Sequence, residues 1–274
     1  MTILVAEIGW NFLGDLSLAK KMILSAKKSG ADAVKFQIWD PKFLTNGLWD
    51  YDGRRQIYEK AYLSEKKYRI LKDFSIKNSI NCFASVFNID GLKLLKKLND
   101  KWVKIPSHES YNLPLIKYAI KNFQKIIISA GCLKKFELKK LINLILINKA
   151  LKKVTLLHCV SSYPLKPKNC NFEKFHYIKK MLGKVGYSGH FEDIDDAIYA
   201  ISCGAEVVEK HFTTNNKLAG RDNKFSLTPD KFKNLNRYRN NYKDFMINKG
   251  LNLQKCELDI YKNYRGRWSK NINI

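Results

Sequence analysis

The chain has 274 residues, 45% of them hydrophobic and 27% charged, a composition that builds a packed core and excludes a disordered chain. No apolar run approaches the roughly 18 residues that a membrane-spanning helix needs, and MTILVAEIGW lacks the basic flank and small-residue cleavage site of a secretory leader. The net charge of +25 raises nucleic-acid binding as one reading. Its lysines, however, are spread over helical segments such as LKLLKKLNDK and LKKFELKKL, without a helix-turn-helix, RNP or zinc-finger pattern. We therefore expect no specific nucleic-acid partner and no membrane partner, but a positive field that attracts anionic substrates. Six cysteines lie scattered without CxxC pairs, which predicts free thiols in a reducing, cytoplasmic setting.

In chain order, ILVAEIG (3–9) reads as a first strand and 15–29 as a helix, with Asp15 as its N-cap and Gly30 as its stop. AVKFQ (33–37) is the next strand; a polar connection (38–63) then leads to a helix opened by Ser64. Further strands are predicted at 80–87, 102–107, 125–130, 154–161, 185–190 and 205–212. Helical patterns lie near 90–98, 112–122, 134–150, 171–182, 192–203 and 229–248. This alternation implies parallel strands with helical crossovers, and the length suits one (β/α)₈ TIM barrel, typically about 250 residues. A doubly wound sheet fits less well, because neither GxGxxG nor GxxxxGK[ST] follows the first strand. The expected division is a single α/β barrel domain, 1–248, and a basic aromatic tail, 249–274.

Chemically capable side chains gather at the C-terminal ends of these runs. They are Glu7, Lys35 with Gln37, Ser85, Lys104 with Ser107, Ser129, His158 with Ser161, Ser188 with His190, and Glu209 with His211. Barrel enzymes place their active sites at that end, with contributions from many strands. Lys35 and Gln37, two apart, share a strand face, as do Glu209 and His211. Charges on an interior face are costly unless paired or used.

Six motifs in order, AEIGWNFLGD, GADAVKFQ, KIPSHESYNLPL, HCVSSYP, GYSGH and EKHFT, give the chain a resemblance to the sialic acid synthase family over 1–245. The resemblance implies condensation of phosphoenolpyruvate with an N-acetylated amino sugar, N-acetylmannosamine or a relative, to a nonulosonic acid and phosphate. On this reading Lys35 and Lys104 bind the phosphate and carboxylate, and Ser85, Ser107, Ser129 and Ser188 donate hydrogen bonds. Interior lysines also suit a Schiff-base aldolase, but the ring of serines favours anion binding. His190 and His211 correspond to the ligands of a divalent ion, Mn²⁺ or Mg²⁺, which polarises the sugar aldehyde. Glu209 corresponds to a group that orients a ligand or metal-bound water, and Glu7 to a base for water or a holder of the lysines. Gln37, Glu109, Ser161, Tyr163 and Asp222 complete the substrate-binding set. His158 and Asn11 are supporting candidates, while His108 and His176 match no functional position and read as surface or loop residues.

Four departures qualify the match. Phe12 and Leu13 stand where the family's first loop has His and Asn, removing an imidazole and an amide from the loop above the barrel. Gly189 replaces the Asp before the first metal histidine, which predicts the loss of a carboxylate near the ion. Asp222 keeps its place with altered neighbours, Gly220, Arg221 and Asn223. The stretch after the last barrel helix is too short for the family's antifreeze-like domain, so either a separate lid-domain protein closes the acceptor pocket, or the acceptor is held differently, or activity toward the usual sugar is lost; the partners to expect are a second copy in a homodimer or that lid-domain protein. The alternatives are another phosphoenolpyruvate-dependent aldol-type synthase and a degenerate barrel acting as a non-catalytic binding subunit.

Overall fold

Residues 2–268 are described by the structure, a computed structural model. The predicted apolar runs form β1 (Ile3–Gly9), β2 (Ala33–Ile38), β3 (Asn81–Val86), β4 (Trp102–Ile105), β5 (Lys125–Ser129), β6 (Val154–Cys159), β7 (Gly186–Gly189) and β8 (Val207–His211). Each pairs in parallel with the next and β8 pairs with β1, closing a (β/α)₈ TIM barrel.

Outside the strands lie α1 (Leu16–Lys28), α2 (Arg54–Lys60), α3 (Glu65–Lys77), α4 (Ile89–Lys97), α5 (Leu113–Asn122), α6 (Lys135–Ile147), α7 (Phe172–Leu182), α8 (Asp195–Ser202) and α9 (Pro229–Phe245). Asp15 caps α1 by accepting from the Ser17 and Leu18 amides, and Gly30, at φ +90°, turns the chain out of it. Ala19, Met22, Ile23 and Ala26 repeat at helical spacing and bury its inner stripe. Ser64 caps α3. The connection 38–63 contains α2, which the sequence pattern did not reveal. This helix buries none of its residues, so it lacks the apolar periodicity that marks an amphipathic helix. After α9 the chain forms α10 (Leu258–Asn263), whose residues are exposed; Ser269–Ile274 of the predicted tail lie outside the described residues.

The core has two compartments. Between strands and helices sits a large outer cluster that includes Ile8, Phe36, Leu92, Ile128 and Phe212. Inside the barrel, Val5, Ala33, Phe83, Ile127, Leu157 and Val207 form a separate apolar plug. Burying each such aliphatic or aromatic side chain stabilises the fold by about 1.5–3 kcal/mol. The plug seals the N-terminal end of the barrel, so interior polar groups can collect only above it, at the C-terminal mouth. All six cysteines are free, and among the described residues no helix is long and apolar enough to cross a membrane.

Candidate active site

Strand periodicity raises a charged layer directly on the apolar plug. Two residues beyond Val5, Ala33 and Val207 come Glu7, Lys35 and Glu209, and two beyond Phe83 and Ile127 come Ser85 and Ser129. Register aligns Glu7 with Lys35, Ser85 with Lys104, Ser188 with Glu209, and His211 with Glu7. All of these side chains are buried.

The layer is knit by ion pairs. Lys104 Nζ donates to both Glu209 oxygens, at 2.8 and 2.9 Å. Lys35 Nζ lies 3.0 Å from Glu7 Oε2 and 3.5 Å from Glu209 Oε1, and donates to Ser85 Oγ at 2.7 Å. Ser188 Oγ donates to Glu209 Oε1 at 3.2 Å, and Gln37 Nε2 donates to Glu7 Oε1. The two carboxylates differ sharply as acids. Burial would raise Glu209, but Lys104 and Lys35 overcome it and hold it at about 2. Burial lifts Glu7 to about 7 against the pull of Lys35, with the Glu209 charge adding to the rise. Burial, reinforced by the like charge of Lys35, lowers Lys104 despite Glu209. Two carboxylates driven apart in this way suit separate roles, one permanently ionised and one able to exchange a proton near neutrality.

Unused hydrogen-bonding capacity marks the same end of the barrel. Ser129 Oγ and Ser161 Oγ are buried without partners. Such groups are rare in native proteins. Gly131 makes the crowding around them possible. A Cβ there would come within 2.5 Å of both Ser107 Oγ and Ser161 Oγ.

His190 and His211 extend from β7 and β8 with ring centroids 5.5 Å apart. His190 Nδ1 lies 2.9 Å from the Val160 carbonyl; burial would lower this ring, but Cys159 and that carbonyl raise it above the usual histidine range. His211 Nδ1 is buried without a hydrogen bond, 3.5 Å from Asp222 Oδ2. Burial and the neighbouring His190 keep the His211 ring well below the usual histidine range, so it is neutral. The two imidazoles, their ring centroids 5.5 Å apart, suit one divalent ion once His190 gives up its proton. Among the described residues no group of three or more His, Cys, Asp or Glu forms a closed cage, so further ligands would come from water or substrate. The Tyr163 ring lies tilted against His190, centroids 4.1 Å apart, and Phe225 packs 5.2 Å from His211. Asp222 is pushed up to about 6 by burial, against the neighbouring Trp10 indole and the His190 charge. Glu109 sits on the turn after β4, its carboxyl raised by partial burial against the pull of Asn112.

Several sequence expectations change. His158 lies out of phase with the interior residues Leu157 and Cys159. Its ring packs against Phe172 and Tyr187 outside the barrel, and its Nε2 lies 2.7 Å from the Cys170 carbonyl. Cys159 faces inward instead, accepting from Ser107 Oγ at 3.3 Å; burial would raise its thiol, but His190 draws it down to about 7. Strict two-residue parity would have preferred it to His158. Phe12 is buried in the outer core, 5.7 Å from Phe36, so this position does not present a ring to the mouth. Position 189 also points outward. A Cβ there would lie 2.3 Å from Asp196 Oδ2, so an Asp at 189 would not have faced the ion. Asn11 ties two loops together, donating to the Phe212 carbonyl and to Ser226 Oγ. His108 and His176 are both exposed, the former with its ring 5.1 Å from Phe87.

Comparison with known proteins agrees with this geometry. The sequence pattern of the NeuB family matches residues 22–249. N,N'-diacetyllegionaminic acid synthase of Campylobacter jejuni is 35% identical across 100% of this chain and 82% of its own length. Pseudaminic acid synthase of Helicobacter pylori is 34% identical across 85% of this chain and 72% of its own length. The crystal structure of an N-acetylneuraminic acid synthetase from Leptospira borgpetersenii superposes with a TM-score of 0.84 at 29% identity, covering 97% of this chain and 93% of that one. A barrel with this interior and a sequence match over most of its length leave one conclusion: the chain belongs to the NeuB family, the family of the sialic acid synthases.

Proposed function

We propose that the chain is a carbon–carbon bond-forming transferase of the cytoplasm, condensing phosphoenolpyruvate with the aldehyde of an N-acetylmannosamine-like amino sugar. The observation that carries this reading is the buried layer of Lys35 and Lys104 surrounded by hydroxyls, two of them unpartnered, at the barrel mouth. Phosphate and carboxylate together would take the lysines as counter-ions and Ser85, Ser107, Ser129 and Ser188 as donors. A divalent ion, Mn²⁺ or Mg²⁺, would be held by His190 and His211 and would polarise the sugar aldehyde.

C3 of phosphoenolpyruvate then bonds to the aldehyde carbon, whose oxygen takes a proton. Water adds at C2, and the C2–O bond to phosphate breaks with release of inorganic phosphate. Glu7, a weak acid beside the ionised Glu209, would take the proton of that water. Glu209 holds Lys104 and Lys35 in position for the anion. Gln37, Glu109, Ser161, Tyr163 and Asp222 would supply the remaining contacts to the substrates. Nothing in the site favours a non-catalytic barrel, because lysines, carboxylates and histidines are all in place.

Phosphate release from phosphoenolpyruvate with Mn²⁺ and a panel of N-acetylated hexosamines tests the proposal. Release that requires both metal and sugar, and is abolished in His190→Ala and His211→Ala, is the expected result. Release without any sugar, or none with every acceptor in the panel, would count against it.

A further inference from the structure

We propose that the buried Lys210–Asp196 pair outside the barrel is a positioning device that sets the two histidines at a fixed spacing. The proposal rests on reading His190 and His211 as ligands of one ion. Lys210 lies between Glu209 and His211 on β8 and, by strand parity, faces away from the interior. Its ammonium donates to Asp196 Oδ1 and Oδ2 at 2.8 and 2.9 Å, and to the Phe191 carbonyl at 2.7 Å. Phe191 immediately follows His190. One cation, a residue away from His211, thus grips the backbone a residue away from His190.

Asp196 anchors that cation from a third element. It stands in the first turn of α8, and its Oδ2 accepts from the Tyr187 hydroxyl of β7 at 3.0 Å. Strands β7 and β8 and the loop between His190 and α8 are therefore joined through this one ion pair. Gly189 is the opening that admits it. Any Cβ there would sit 2.3 Å from Asp196 Oδ2 and 2.5 Å from Tyr187 Cε1. Stability alone does not call for such a pair, since well-packed apolar residues commonly replace buried ion pairs without loss. Hydrocarbon would not supply the directed bonds that fix the Phe191 carbonyl, and groups behind metal ligands govern metal affinity through such orientation.

The test is Mn²⁺ titration by calorimetry on the parent, on Lys210→Met/Asp196→Leu, and on Asp196→Asn, which keeps the side-chain shape. Each protein is also titrated with phosphoenolpyruvate in the absence of metal. The expected result is Mn²⁺ affinity weakened by about 10- to 100-fold in the double variant and by less in Asp196→Asn, with metal-free phosphoenolpyruvate binding unchanged. If the double variant does not fold, the Asp196→Asn shift decides alone. Variants that bind Mn²⁺ as the parent does would overturn the positioning role while leaving the ligand reading intact. A parent that binds no Mn²⁺ would overturn both.

Discussion

Strand β8 carries three consecutive ionisable residues, Glu209, Lys210 and His211, through two buried environments of opposite character. Outside the barrel, Lys210 finds both oxygens of Asp196 and a backbone carbonyl, and Asp196 finds Tyr187. Inside, Glu7 and Glu209 share two lysines unequally, two nearby serine hydroxyls have no partner, and His211 Nδ1 makes no hydrogen bond. Burial of charge is common to both places. What separates them is unused capacity, which is the mark of a site that expects a ligand.

The largest expected effect comes from the weaker acid inside. Glu7→Gln should lower kcat by about 10²- to 10⁴-fold, read as phosphate release under saturating substrates, if Glu7 is the base. The pH dependence follows from the same residue. Its carboxylate form is present above about 7, so activity should rise through that pH in the parent. Stability should move the opposite way. The native state holds the Glu7 proton more tightly than the unfolded chain, whose value lies near 4.5, so this group's contribution falls as pH rises from 4.5 to 7. Chemical denaturation across that range should show a slope that Glu7→Gln reduces.

Much of this arrangement was legible before the structure, because alternation fixes which strand residues face inward once a strand is placed. Val207, Glu209 and His211 are the clearest case. Where the rule was applied loosely it failed: His158 was grouped with interior residues although Cys159 holds that phase. Contacts between distant elements left no local signal. Nothing in the sequence spacing joins Asp196 to Lys210, or Gln37 to Glu7. The displaced role of Gly189 likewise appears only when α8 is packed against β7.

Outside the barrel the dominant effect should be on folding. Asp196→Ala, which strands the Lys210 ammonium, should destabilise the protein by about 3–5 kcal/mol in urea denaturation. Inside, Ser129→Ala removes a hydroxyl that has no partner. It should leave the melting temperature unchanged while raising KM for phosphoenolpyruvate about tenfold, the loss of one hydrogen bond to a charged group. The smallest change is expected for His158→Gln, on the outer face. Its kcat should stay close to the parent's, with at most about 1 kcal/mol lost with the Cys170 contact.

Calorimetric titration of phosphoenolpyruvate into the parent, Lys35→Met and His158→Gln bears on the interior layer without requiring the acceptor sugar. Binding in the parent and in His158→Gln, lost in Lys35→Met while that variant still melts cooperatively, is the predicted result. Equal binding by all three proteins, or none by the parent, would contradict the assignment of the interior lysines to the anion.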